Sequence, residues 1–231
     1  MTTRNANFWT LFQEKLPNEM KLKILKYVVI DPRGIEYFPL VRGEASIPFE
    51  LLEYPGNVGD ISRDVFYRHN NFRIELQSEL FTWAIRDINP FIRRITILMS
   101  PTVYSWNWIA KLASGRLNFS GLREVTVSFN STEVRWTGIS TRSLDSLEHA
   151  MKRNRICFDV RKLVVEFNWS IASSGSYWGS VTRARFMRAI IRPVLFESIT
   201  AQLRDTNKKH SRFVTERRNG KETVTTMVMQ I

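Results

Sequence analysis

The chain reads as an α+β protein: an N-terminal helical segment, a body of irregular β/α units with a mainly parallel sheet, and a C-terminal β-hairpin. Three observations lead there. A proline-started run with helical spacing opens the chain. One short pattern, an apolar residue, an arginine, a charged residue and then a β-rich apolar run, occurs three times, each copy preceded by a helix-like stretch. Near the end, Asn219-Gly220 separates two β-rich runs. The boundaries expected are 1–34 for the helical segment, 35–60 for an irregular connection, and 61–231 for the body with its hairpin.

The opening helix is expected over Phe8 to Ile30. Pro17 suits its first position, where a missing N–H costs nothing, and Glu19 complements the positive helix start. Met20, Ile24, Leu25, Val28 and Val29 recur at helical spacing among Lys21, Lys23 and Lys26. Asp31-Pro32-Arg33-Gly34 ends the run with turn residues. Prolines and glycines then punctuate residues 35–60 without a clear period. Ile61 to His69 forms a short helix broken by Asn70-Asn71, and Phe72 to Leu76 alternates as a strand does. A further helix is expected over Leu80 to Ile88.

The recurring pattern reads Ile92-Arg93-Arg94-Ile95-Thr96-Ile97, Leu122-Arg123-Glu124-Val125-Thr126-Val127 and Val160-Arg161-Lys162-Leu163-Val164-Val165. The copies start 30 and 38 residues apart. Helix-like stretches at Trp106 to Leu117 and Leu144 to Arg153 precede the second and third. Strand, return helix and similar strand imply parallel β/α units. The irregular spacing, close to that of leucine-rich repeats, makes them degenerate repeats of that kind. Thr182 to Leu203 is an arginine-rich helix interrupted by Pro193. Asn219-Gly220 closes the hairpin, because both turn positions must tolerate positive φ.

Charge and chemistry narrow the function. The chain has 34 Lys+Arg against 22 Asp+Glu, a net charge of +12, so its field attracts acidic partners. One cysteine, Cys157, leaves no internal disulfide and points to a reducing compartment, cytoplasm or nucleus. Its neighbours Ile156 and Phe158 make a buried, inert thiol the expectation. The beginning of the chain lacks the apolar stretch of a signal peptide, and no run approaches the ~18 apolar residues of a spanning helix, so no membrane partner is expected. His69, His149 and His210 are scattered, so no metal site is expected. No nucleophile elbow, Walker loop or dinucleotide fingerprint occurs. No catalytic residue and no cofactor are assigned. One candidate anion ridge stands out: Arg185, Arg188 and Arg192 follow at three- and four-residue steps and share a helical face, opposite an apolar stripe through Phe186 and Ile190. Trp106 and Trp108 suit base stacking or core packing, and packing is the commoner role.

Phe12-x3-Leu16-Pro17-x-Glu19, followed by Ile24 and Tyr27, resembles the start of an F-box. The phrases Phe66-Tyr67-Arg68-His69-Asn70-Asn71-Phe72 and Phe91-Ile92-Arg93-Arg94-Ile95-Thr96-Ile97 extend the likeness to divergent F-box-like proteins of filamentous fungi. The ordered resemblance covers roughly residues 8–100. It implies a non-enzymatic protein docking on a Skp-type adaptor of a ubiquitin ligase through Leu16, Pro17, Ile24, Leu25 and Val28, with the body presented to a target protein. The family's cysteine- and tryptophan-bearing second and third helices have no counterpart in residues 35–60. The alternative is a basic, nucleic-acid-associated protein using its arginine-rich C-terminal third.

Overall fold

The computed structural model describes residue 8 and residues 11–43, 49–76, 87–130, 141–170, 187–201, 211–219 and 222–230. Within them lie helices α1 (Asn18–Val29), α2 (Asn57–His69), α3 (Val103–Ala113), α4 (Thr141–Arg153) and α5 (Arg192–Ser198), with shorter turns between. The strands are β1 (Ile35–Glu36), β2 (Phe72–Leu76), β3 (Arg94–Met99), β4 (Glu124–Asn130), β5 (Ile156–Phe158), β6 (Lys162–Ser170), β7 (Ile199–Ala201), β8 (Ser211–Asn219) and β9 (Glu222–Gln230). Seven strands form one sheet in the order β1-β2-β3-β4-β6-β9-β8. The first five run parallel, and β9 and β8 are antiparallel to their neighbours. β5 and β7 pair in parallel as a separate ribbon.

The three pattern copies are neighbouring parallel strands. Ile95 pairs with Val125 and Val125 with Leu163, so equivalent positions stand side by side. Each parallel strand joins on the same edge as its predecessor. With right-handed crossovers this stacks the helices on one face. α1 packs on α2, α3 on α4 and α4 on α5. Alternation then decides burial. Ile74, Ile97, Val127, Val165 and Met227 form one buried rung across the sheet. Leu76, Met99, Phe129 and Phe167 form another, with Phe129 and Phe167 stacked at 5.2 Å. The alternate residues Arg73, Thr96, Thr126 and Val164 face away and are half-buried.

Several sequence expectations change. The opening helix is not continuous: residues 11–15 are helical, then the chain bends at Leu16-Pro17. A residue before proline disfavours the helical region, and Pro17 is itself extended (φ −60°, ψ 151°). It therefore caps α1 from outside, its carbonyl accepting from Met20 N and Lys21 N. Residues 35–60 do not form a mere connection, because Ile35, Tyr37, Leu40, Leu51 and Leu52 belong to the main core. Pro39 lies within the short helix Tyr37–Val41 and Gly59 within α2, so neither breaks an element; Gly56, with φ +80°, turns the chain into α2. The expected helix at 80–88 falls mostly on residues outside the described ones. Trp106 and Trp108 are core, and Trp106 Nε1 donates to Asn154 O at 3.1 Å. Cys157 is exposed, because Ile156 and Phe158 take the inward positions of β5 and the two-residue period turns the thiol outward. In the hairpin, Asn219 pairs with Glu222 as the last strand residue, so it is not a turn residue. The connection, residues 220–221, lies outside the described residues.

Asn70, within the phrase that carried the family resemblance, is a structural keystone. It is fully buried. Its Nδ2 donates to Val29 O at 2.8 Å and to Phe66 O at 3.0 Å, and its Oδ1 accepts from Asp31 N at 2.8 Å. One side chain thus ties the ends of α1 and α2 together just before β2 begins.

Candidate functional site

The residues proposed for docking lie on and before α1. At about 100° per residue, Lys21, Leu25 and Val29 share one side, and all three are buried. Leu25 is sealed against Phe12 and Val58 at 0% exposure, so it is core and offers nothing to a partner. Leu16 is half-buried at the edge of the same cluster. Pro17, Ile24 and Val28 do face outward. They are joined by Met20 and Tyr27, which complete an apolar stripe of about 100° with Lys23 at its border. Exposure across that stripe is 50% at Met20, 36% at Ile24, 90% at Tyr27 and 46% at Val28. α1 is thus apolar on two sides, and only one is covered. Met20 stands in the helical-spacing run of the sequence and Tyr27 in the F-box-like phrase, but neither is among the residues the resemblance assigns to docking.

The arginine ridge falls only partly within the described residues. Arg185 lies outside them. Arg188 falls in a π-turn, Met187–Ile191, whose i→i+5 bonding departs from the 3.6-residue spacing that put the three arginines on one face. Pro193 explains the turn: it has no N–H for the regular bond at the start of α5. Arg192 turns toward the sheet, its Nη1 donating to Thr225 Oγ1 at 3.5 Å.

The residues that do assemble come from the pattern copies. Arg123 N and Glu124 N both donate to Arg93 O, at 2.9 and 3.0 Å. Arg161 N and Lys162 N repeat the arrangement on Arg123 O, at 2.8 and 3.1 Å. Parallel pairing therefore converts a sequence repeat into a rank, Arg93-Arg123-Arg161, with neighbouring rungs ~4.8 Å apart at the start of the strands. A second rank, Arg94-Glu124-Lys162, runs beside it on the first strand positions. The end of α2 adds Arg68 and His69, with Arg93 N donating to Tyr67 O at 3.4 Å. Together they line a cavity of about 390 Å³ holding six cationic side chains and one carboxylate, Glu124. Glu124 is engaged by Arg94 at 3.4 Å, and Arg68 by Asp64 at 3.2 Å. Among the described residues no carboxylate pairs with Arg93, Arg123 or Arg161.

Arg93 is held in place. Its Nη1 donates to Pro90 O at 2.8 Å, and its guanidinium lies over Gly121, where a Cβ would stand 1.2 Å from Nη1. Burial lowers its pKa first, then the like charges of Arg123 and Arg68, with Asp64 opposing them. An arginine stays charged through such a shift, which here records crowded positive charge. A second cavity of about 240 Å³ shares Arg68 and Arg93 and is completed by Asp60, Arg63, Asp64, Tyr67 and Phe91.

His69 senses the same field. Its pKa is lowered, by burial first, then by Lys26, Arg94 and Arg68, against Asp64. A histidine held below its unfolded value stabilises the fold fully only while neutral in both states. As pH falls through the unfolded value, near ~6.5, the unfolded chain takes the proton first and stability drops. Between pH 7 and pH 5 the wild type should therefore lose more stability than His69→Gln in denaturant titrations. Parallel curves would show that His69 does not report this field.

Among the described residues no group of three or more His, Cys, Asp or Glu side chains is placed to hold a metal ion. No helix of those residues is long and apolar enough to cross a membrane. The arrangement suits electrostatic capture of an anion. Comparison with protein-family models, with curated proteins and with solved structures gives no match to this chain.

Proposed function

We propose that this chain is a non-enzymatic interaction protein of F-box-like kind, working as a recognition adaptor in the cytoplasm or nucleus. α1 docks into an apolar groove on an acidic Skp-type protein, the helix-in-groove mode. The β/α body, read as degenerate leucine-rich-repeat-like units because its parallel strands succeed one another in chain order, presents a target-binding surface. The observation that carries the docking is the uncovered stripe of Met20, Ile24, Tyr27 and Val28 on a helix whose other apolar side is already buried. Lys23, exposed at its border, favours an acidic rim on the partner.

The test is direct binding of the purified chain to a purified Skp-type adaptor. Ile24→Asp with Val28→Asp should weaken binding by about 10- to 100-fold, as expected when central apolar contacts are lost. Both side chains are exposed, so the unfolding midpoint should hold. A wild-type chain that does not bind, or a double variant with unchanged affinity, sinks the reading.

The arginine-lined cavity favours one second reading, association with nucleic acid. Binding that falls steeply as salt rises would support it, whereas adaptor capture persisting at moderate salt supports the first.

A further inference from the structure

We propose that the two cavities meeting at Arg68 and Arg93 form a site for a nucleoside di- or triphosphate, with phosphates on the Arg93-Arg123-Arg161 rank and the base against Phe91. The inference is independent of the docking role of α1.

The charge is arranged for phosphate. The larger cavity gathers six cations against one carboxylate, and that carboxylate already has Arg94 as its partner. Guanidinium groups meet phosphate oxygens through paired, planar hydrogen bonds, which lysine does not offer. The position of Arg93 is prepared in advance: Pro90 O fixes its Nη1, and Gly121 contributes no side chain where the guanidinium lies. Preorganised donors lose less freedom when the ligand arrives.

The length of the rank selects a short phosphate chain. Three rungs at strand spacing span only ~10 Å. Proteins that follow a single-stranded polymer typically engage about four or more nucleotides in a groove tracking its backbone. The sites here are two discrete concavities of about 390 and 240 Å³. The larger falls within the ~300–1,000 Å³ of ordinary ligand clefts.

The smaller cavity has the complementary character. Its aromatic members, Tyr67 and Phe91, lie 5.9 Å apart, and Phe91 is 56% exposed, leaving a ring face open for stacking. Asp60 pairs with Arg63, and Asp64 with Arg68. These carboxylates repel phosphate from this side and accept hydrogen bonds from ribose hydroxyls or an exocyclic amine. A ligand anionic at one end, planar and donor-bearing at the other, matches both halves.

Calorimetric titration of the full chain near 0.15 M salt is the test, with ATP, GTP, AMP, pyrophosphate and a short single-stranded oligonucleotide as probes. Saturable triphosphate binding is expected, with AMP at least about tenfold weaker because it reaches fewer arginines. Arg123→Gln and Arg161→Gln, both at exposed positions, should each weaken the triphosphate by about tenfold. Phe91→Ala should weaken ATP while leaving pyrophosphate unchanged. The proposal is overturned if neither triphosphate binds by about 1 mM, if pyrophosphate binds as tightly as ATP, if the arginine variants leave ATP affinity unchanged, or if the oligonucleotide binds and ATP does not displace it.

Discussion

Asn70→Ala is expected to lower the unfolding free energy by about 2–4 kcal/mol, because it leaves Val29 O without its buried partner, at about 1–3 kcal/mol, and removes the part-buried bond from Asp31 N, which solvent replaces in part. Val29 O lies at the end of α1, where a helix has carbonyls with no intrahelical donor, and Asn70 Nδ2 supplies one at 2.8 Å. Asp31 N, just past the same helix, loses its acceptor, Asn70 Oδ1. Phe66 O is spared, since Asn70 N already donates to it at 3.2 Å. Domains are stable by only ~5–15 kcal/mol, so this one truncation removes a large share. The melting temperature should fall by roughly 4–16 °C. Asn71→Ala is the control. Its side chain exchanges hydrogen bonds with Thr96 Oγ1 on the half-exposed face of the sheet, at 2.9 and 3.2 Å. That change should stay within about 1 kcal/mol. Equal losses for the two variants would show that Asn70 is not the tie between α1 and α2.

Alternation is a local signal, so β2 is legible in the sequence at its observed bounds, Phe72–Leu76. The hairpin strands show as β-rich runs flanking a turn signal, and the three pattern copies through likeness at their strand starts. What the sequence hid is lateral. Arg93, Arg123 and Arg161 are 30 and 38 residues apart, and only strand pairing makes them neighbours. Arg185, Arg188 and Arg192 stand out in the sequence because regular helical spacing makes them neighbours on paper, whereas Arg188 falls in the π-turn Met187–Ile191 and Arg185 lies outside the described residues. Residues 35–60 read as a connection for a different reason: proline and glycine signal breaks in a sequence, yet Pro39 lies within the helix Tyr37–Val41 and Gly59 within α2. On α1 the helical period is legible, but a helix with two apolar stripes does not say which one the body covers: Pro17, Ile24 and Val28 face outward while Leu25 is core.

Gly121→Ala should destabilise the fold by about 1–3 kcal/mol, the usual cost of overpacking, and should also disturb the arginine rank. The new Cβ would stand 1.2 Å from Arg93 Nη1 and 2.2 Å from Pro90 O. These obstacles differ in kind. A guanidinium at the end of a flexible chain swings aside, giving up its bond to Pro90 O. The Pro90 carbonyl is backbone, in a turn, Asn89–Phe91, that buried Asn89 pins by accepting from Tyr37 Oη at 2.6 Å and donating to Leu117 O at 2.8 Å. Replacing glycine also restricts the unfolded chain, which favours the variant by about 0.4–1 kcal/mol and sets the offset to be overcome. A double-mutant cycle with Arg93→Ala separates the contributions. With the guanidinium gone, Gly121→Ala should cost less than in the wild type, yet still something, because the carbonyl remains. A cost that vanishes entirely would place all the strain on Arg93 and show that the turn yields. A cost unchanged by Arg93→Ala would show that the guanidinium does not lie over Gly121 in solution, and the preorganised end of the arginine rank would be lost with it.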